Sequence, residues 1–319
     1  MKKTEFIKYL ESNGFAQKTI EKHIKYTEQF FKYVKTEDVQ VTKPDVLDYL
    51  KYLKNNLQYQ NDYRSRHLVS LKHYFSFLYK DKLITENPCM FLKIRGTKKK
   101  RVYKLYTIEE LEQLFDNYYQ FYVRNYDDSG KYWREHGKVL SKLTKERNAL
   151  ILSILINQGA TTNEIRKIEI KDIDFIKATI KIRGGTILND RILPLKASQI
   201  GLIMHFIQNI RPQFSEYQTT ESERLFLLLP TPGKKKATKR DLHHHIFEIL
   251  CRQLKSIDKQ FLNIFQVRTS VITNWLKTEN LRKAQYMAGH RHVSTTETFL
   301  PNNLDNLKED INKMHPFNL

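Results

Sequence analysis

The chain has 319 residues, a length that suits about two domains, each large enough to bury its own core. Its 40% hydrophobic and 12% aromatic content excludes a disordered chain, which lacks the burial needed to offset ordering entropy. Lys and Arg number 55 against 35 Asp and Glu, a formal charge of +20, which points to a polyanionic partner and to nucleic acid first, because cations that neutralise phosphates release counterions. Cys89 and Cys251 can build neither a disulfide framework nor a zinc finger. No apolar run approaches the roughly 18 residues that span a bilayer, so no membrane partner is expected. Met1-Lys2-Lys3-Thr4-Glu5 lacks the apolar stretch of a secretory signal, and a cytoplasmic location is expected.

From Phe6 to Leu92 the pattern reads as helix. Ile20, Ile24, Thr27, Phe30, Phe31 and Val34 recur at three- and four-residue steps and share one face. Thr42-Lys43-Pro44-Asp45 opens a second helix expected to bury Val46, Leu47, Tyr49, Leu50 and Leu53. A third carries Leu68, Leu71, Phe75 and Leu78 and ends before Glu86-Asn87-Pro88. Between Lys93 and Lys104 apolar spacing stops and seven of twelve residues are Lys or Arg. This basic linker is either a solvated tether or a strap along phosphates; like charges packed so densely favour the strap.

Thr107-Ile108-Glu109-Glu110 is a capping box that opens the second domain. Glu146 to Gln158 reads as an apolar helix stopped by Gly159. The period then changes: residues 173–175, 178–182 and 191–195 alternate and are rich in β-branched side chains, with Gly184-Gly185 and Asn189-Asp190 as turn signals for a short antiparallel sheet. Helical spacing returns beyond Ser198. The expected fold is therefore mainly α with a small antiparallel β-sheet, divided into a helical domain 1–94, a linker 95–106 and a domain 107–319.

Three patches occur in order. Arg147-Asn148-Ala149-Leu150-Ile151-Leu152 leads to Gly159-Ala160-Thr161-Thr162-Asn163-Glu164-Ile165, which resembles the TGLRxSEL text of tyrosine recombinases (integrases). Asp172-Ile173-Asp174 and Arg191-Ile192-Leu193-Pro194-Leu195 resemble that family's hairpin ending in RxVPL. Val267-Arg268, Met287-Ala288-Gly289-His290 and Ser294-Thr295-Thr296-Glu297-Thr298-Phe299 resemble its HxLRH, LGH and TTxxY. The resemblance implies a core-binding helical domain before a tyrosine-recombinase catalytic-type α+β domain, a clamp on duplex DNA, and no cofactor or small-molecule substrate.

It also implies a reaction: a tyrosine phenolate attacks a phosphodiester, cations stabilise the phosphorane, and an acid protonates the leaving oxygen. In the family's order, the first arginine's position holds Thr161, the hairpin lysine's Asn189 and the histidine's Phe265, while Arg268 and His290 are present. The nucleophile's position holds Phe299. Gln158-Gly159-Ala160-Thr161-Thr162 resembles divergent mobile-element integrases that read QG-x-T-T there. Arg191 or Lys181 is the candidate to substitute for the hairpin lysine, and Tyr286 is read as a core aromatic rather than a replacement nucleophile. Loss of one oxyanion-type donor costs about 10²–10³ in rate, so strand cleavage by this chain is expected to be impaired. Phe299 is compatible with natural decay, recruitment to binding alone, or a deliberate substitution. The alternatives are a working recombinase with a rearranged site, using Arg191 and a residue donated in trans, and a basic RNA-binding or structural protein.

The residues expected to contact DNA are Arg64, Arg66, Lys72 and His73 in the first domain, Lys98, Lys99, Lys100 and Arg101 in the linker, and Arg191, Lys234, Lys235 and Lys236 in the second. Adjacent residues on a helix diverge by about 100°, so His243, His244 and His245 are not expected to bind a metal. Leu304, Leu307 and Ile311 have helical spacing. Tails in this family dock onto a neighbouring protomer, which implies DNA-dependent homo-oligomers; packing onto its own domain is the other reading.

Overall fold

A computed structural model describes residues 1–96, 103–125, 135–229 and 243–300. The chain divides into two compact units, Met1–Val102 and Tyr103–Leu319.

The first unit is helical. Helix α1 (Lys3–Ser12) buries Phe6 and Leu10, and α2 (Gln17–Val34) buries Ile20, Ile24, Thr27 and Phe30, the face anticipated from their spacing. Helix α3 (Lys43–Asn55) begins where expected: Asp45 accepts from the Thr42 backbone N–H at 2.8 Å, satisfying a donor the first turn would otherwise leave unpaired. It buries Val46, Tyr49, Leu50 and Leu53, whereas Leu47 stays 38% exposed because it falls on the opposite face. Helix α4 (Asn61–Lys80) ends six residues before Glu86, followed by Lys82 with φ 55°. Asn87 then folds the chain back, donating to Ser76 Oγ and accepting from the Cys89 backbone.

The second unit surrounds α6 (Glu135–Gln158), which is buried on nearly all sides from Ala149 to Ile156. Before it lies α5 (Ile108–Tyr118), opened by the Thr107 and Glu110 capping box and prolonged by a π-helical turn, Tyr119–Arg124. Helix α6 starts eleven residues earlier than its apolar pattern; among the described side chains of its first turns, Leu143 is the one buried apolar residue, and most of its neighbours are polar. Gly159 ends it with φ +55°, a conformation that carries a Cβ penalty for other residues; a Cβ there would also lie 2.9 Å from the Trp275 ring.

After the short α7 (Thr162–Ile165) comes the antiparallel sheet, β1 (Ile173–Asp174), β2 (Thr179–Ile182) and β3 (Arg191–Pro194), ordered β1-β2-β3. Ile180 pairs with Ile173 and Leu193, and Ile182 pairs with Arg191. Strand β2 begins at Thr179 rather than Ala178, which turns through φ 51°. With a period of two, Ile180, Ile182, Arg191 and Leu193 face inward while Ile192 remains 55% exposed. Gln158 donates to the Pro194 carbonyl at 2.9 Å and ties β3 to the end of α6. Helices α8 (Ala197–His205), α9 (Arg211–Ser215), α10 (His243–Ile257), α11 (Ile264–Thr278), α12 (Leu281–Ala288) and α13 (Val293–Glu297) complete the described unit. No described helix is long and apolar enough to cross a membrane.

Candidate active site

The second unit gathers the ends of α6, β3, α11 and α12 around one carboxylate. Thr161 caps α7: its backbone N–H and hydroxyl donate to Glu164 Oε2 at 2.7 and 2.9 Å, and its Oγ1 accepts from the Glu164 N–H. This box turns the Glu164 side chain inward, where it is 2% exposed. Arg191 meets it with a two-pronged contact, Nη1 to Oε1 at 2.5 Å and Nη2 to Oε2 at 3.3 Å. Arg268 approaches from α11, its Nη1 3.7 Å from Oε2. Burial alone would raise the Glu164 carboxyl, but the Arg191 hydrogen bond and charge, the Thr161 backbone and Arg268 outweigh it and hold it below the usual carboxylate range.

Arg268 is itself buried and nearly saturated. Nη1 donates to the Gly159 carbonyl, exposed by the left-handed turn, and Nη2 donates to the Ala288 carbonyl at 2.8 Å and contacts His290 Nε2 at 3.2 Å. Burial, with Arg191 adding to it, lowers the guanidinium to about 10, so it remains a cation. Burial, then Arg268 and Arg191, push His290 down to about 4, so the ring is neutral at pH 7. Two guanidinium groups against one carboxylate leave an enclosed excess of one positive charge, suited to one anionic oxygen cluster.

Gly289 lets these parts converge. It caps α12 with φ +70°, its carbonyl accepts from the Asn189 N–H at 2.8 Å, and a Cβ would sit 2.6 Å from Arg191 Nη1. Phe299 lies beside this centre, its ring offset-stacked on His290 with centroids 5.4 Å apart and planes 22° apart.

The other residues singled out from sequence fall as follows. Asn189 is exposed on the turn before β3 and meets the centre only through its backbone. Phe265, in the first turn of α11, is 58% exposed. Lys181 pairs with Asp190 at 3.7 Å. Tyr286, expected in the core, is instead 52% exposed on α12, because its hydroxyl reaches the backbone of Ile192 on β3. Glu164, which organises the site, and Thr296, which contacts His290 Nδ1 at 2.9 Å, were present in the sequence only as members of the stretches resembling TGLRxSEL and TTxxY, and neither was singled out as a site residue.

In the first unit, Arg64 donates to the Leu50 carbonyl and to Asn61 Oδ1, and Arg66 pairs with Asp62 at 2.7 Å. Lys72 is half-buried, and His73 is packed edge-on against Phe15 and His23. Lys98, Lys99, Lys100, Arg101, Lys234, Lys235, Lys236, the side chains of His243, His244 and His245, and residues 301–319 lie outside the described residues.

The linker's far end is pinned to the helix that carries Arg268. Gln266 donates to the Lys104 carbonyl at 2.9 Å, Ser270 accepts from the Tyr106 N–H at 2.9 Å, and Asn274 donates to the Tyr106 carbonyl at 2.9 Å. Spacing of four residues places all three on one face of α11.

In this unit a small antiparallel sheet lies among helices, and two arginines, a histidine and a left-handed glycine turn converge on one carboxylate. The model of the phage integrase family matches residues 136–304, more than half of the chain. The chain belongs to this family, the tyrosine recombinases and integrases. It is similar to the tyrosine recombinase XerC of Anoxybacillus flavithermus, 26% identical over 98% of this chain and 96% of that protein. It is also similar to XerA of Pyrococcus horikoshii, 25% identical over 97% and 92%. Among solved structures, the Tn1549 transposon integrase in complex with a circular intermediate DNA superposes with a TM-score of 0.65 at 13% identity, covering 98% of this chain and 99% of that one. The XerH site-specific recombinase bound to its difH substrate also gives 0.65, at 17% identity, covering 92% and 79%. At these identities the structures support the fold.

Proposed function

We propose that this chain binds duplex DNA as a member of a recombination and integration system and that its own strand cleavage is impaired. The observation that carries this reading is Phe299: the aromatic ring stacked on His290 stands where the family's order of motifs calls for the nucleophile, and a phenyl ring has no oxygen to attack phosphorus. Thr161 spends its side chain on the α7 cap, and Asn189 and Phe265 lie exposed rather than in the centre. On this reading Arg268 supplies charge to one phosphate, while Arg64, Arg66, Lys72, His73 and the linker and loop cations hold the rest of the duplex. Residues 1–94 then serve as the core-binding domain and 107–319 as the catalytic-type domain. Assembly into DNA-dependent oligomers through the C-terminal tail and a cytoplasmic location belong to the same reading.

One observation favours a second reading, an active recombinase with a rearranged site. Arg191 brings a second guanidinium to within hydrogen-bonding distance of the carboxylate that also faces Arg268, so the centre holds two cations although position 161 is a threonine. Incubation of the chain and of Phe299→Tyr with nicked duplexes made from its genomic flanks separates the two. Denaturant-resistant adducts with the natural chain would overturn the first reading. Adducts with Phe299→Tyr alone make Phe299 the sole block, and none with either, while both bind the duplex, makes the loss at Thr161, Asn189 and Phe265 real.

A further inference from the structure

His290 is held on three sides. Phe299 stacks on its face, Arg268 Nη2 lies 3.2 Å from Nε2, and Thr296 Oγ1 lies 2.9 Å from Nδ1. A guanidinium has five N–H donors and no acceptor, so the nitrogen facing it must accept. Nε2 therefore carries no proton, and in a neutral imidazole the proton sits on Nδ1 and is donated to the Thr296 hydroxyl. Arg268, His290 and Thr296 are 5%, 4% and 0% exposed, so water is a poor substitute for any of these partners. The other hydrogen-bond acceptors of the Arg268 fork are the Gly159 and Ala288 carbonyls, which have no alternative tautomer; the imidazole does.

We propose that Thr296 is a positioning residue for the phosphate site: by accepting from Nδ1–H it fixes the His290 tautomer whose Nε2 lone pair orients the Arg268 guanidinium. The inference rests on Arg268 being a phosphate cation, as proposed above. It has a consequence for His290 itself. While Arg268 occupies Nε2, the ring offers the pocket no hydrogen-bond donor there, and its part is to hold the arginine. Thr296→Val would keep much of the side chain's shape and remove the acceptor, leaving a buried N–H unpaired unless the proton moves to Nε2, where it would face the Arg268 donors and displace them.

The test is long-range proton–nitrogen NMR of the full chain labelled with 15N-histidine, with His290 assigned by its loss in His290→Gln. It is paired with titration of a fluorescent random-sequence DNA duplex at fixed salt. The natural chain and Thr296→Ser are expected to show the Nδ1–H tautomer. Thr296→Val is expected to shift His290 toward Nε2–H and to weaken duplex binding about tenfold, the scale of one charge-assisted hydrogen bond. An Nε2–H tautomer in the natural chain overturns the proposal even if Thr296→Val does not fold, and so does an unchanged tautomer in a folded Thr296→Val. If the tautomer responds as stated but the natural chain does not bind the duplex, the positioning of Arg268 by Thr296 is supported and the DNA-binding reading is the one that fails.

Discussion

Glu164 is the position where one atom exchange has the largest expected effect. Glu164→Gln keeps the shape of the side chain and removes its charge, leaving Arg191, with no exposed side-chain surface, and Arg268, with 6%, sharing a closed space without an anion. At the 3.7 Å separation from Arg268, an effective dielectric constant of about 20 gives an attraction of about 4 kcal/mol. Breaking a buried pair by removing one partner generally costs about 3–5 kcal/mol, so the two routes agree. A unit of this size loses roughly 2–4 °C of Tm per kcal/mol, which puts the expected fall at about 6–20 °C. Differential scanning calorimetry of the full chain reads this as a downward shift of the second unit's transition. The same reasoning requires an anion to compensate: added sulfate should raise the Tm of Glu164→Gln more than that of the natural chain, because the enclosed excess grows from one positive charge to two. A Tm within about 2 °C of the natural protein would refute the view that this carboxylate holds the site together. An equal response of both proteins to sulfate would refute the charge tally.

Three other outcomes follow from the same geometry. Arg268→Ala should weaken duplex binding and flatten the dependence of log affinity on log salt by about one phosphate contact; an unchanged slope would place Arg268 away from the DNA backbone. Gly159→Ala, which adds a Cβ at φ +55° and 2.9 Å from Trp275, should destabilise the protein by about 1–3 kcal/mol and displace the carbonyl that holds Arg268, measurable by urea unfolding. In the first unit, burial pushes His67 down to about 4, with Lys25 adding, and His23 to about 4, with His73 adding. Both rings fold neutral, and the unfolded chain binds more protons between their ordinary pKa near 6.5 and 4. Stability is therefore full above about pH 6.5 and should be lost as pH falls toward 4, by up to about 3 kcal/mol per ring. Urea midpoints that do not move over this range, or a His67→Gln chain with the same slope, would show that these rings titrate as in the unfolded state.

Much of the architecture was legible because local rules and tertiary packing agree. The capping boxes at Thr42 and Thr107 mark real helix starts, and the period-two segments 179–182 and 191–194 form the sheet. What the sequence does not carry is which charges meet. Glu164 and Arg191 are 27 residues apart, and only the register that pairs Arg191 with Ile182 turns the guanidinium inward. His73 illustrates the same limit: spacing puts it at the edge of an apolar face, and only the approach of Phe15 and α2 makes it an aromatic neighbour of His23. The early turns of α6 were hidden for the opposite reason, since one buried leucine among mostly polar neighbours leaves no periodic signal.

The centre separates residues that folding demands from residues that only chemistry demands. Arg191, Glu164 and Arg268 hold together β3, α7 and α11, and Gly159 and Gly289 supply the turns that let them meet, so each has a structural reason to be present whether or not a phosphodiester is ever cut. Their presence is therefore weak evidence for cleavage. Position 299 has the opposite character. Stacking on His290 and the backbone bond to Thr296 need only an aromatic ring and a peptide, so phenylalanine and tyrosine serve packing about equally well. On the proposed reading, the hydroxyl that separates them is the atom that bears on the reaction. For that reason the Phe299→Tyr comparison is the sharper test of catalytic competence, whereas substitutions among the buried charges report first on folding.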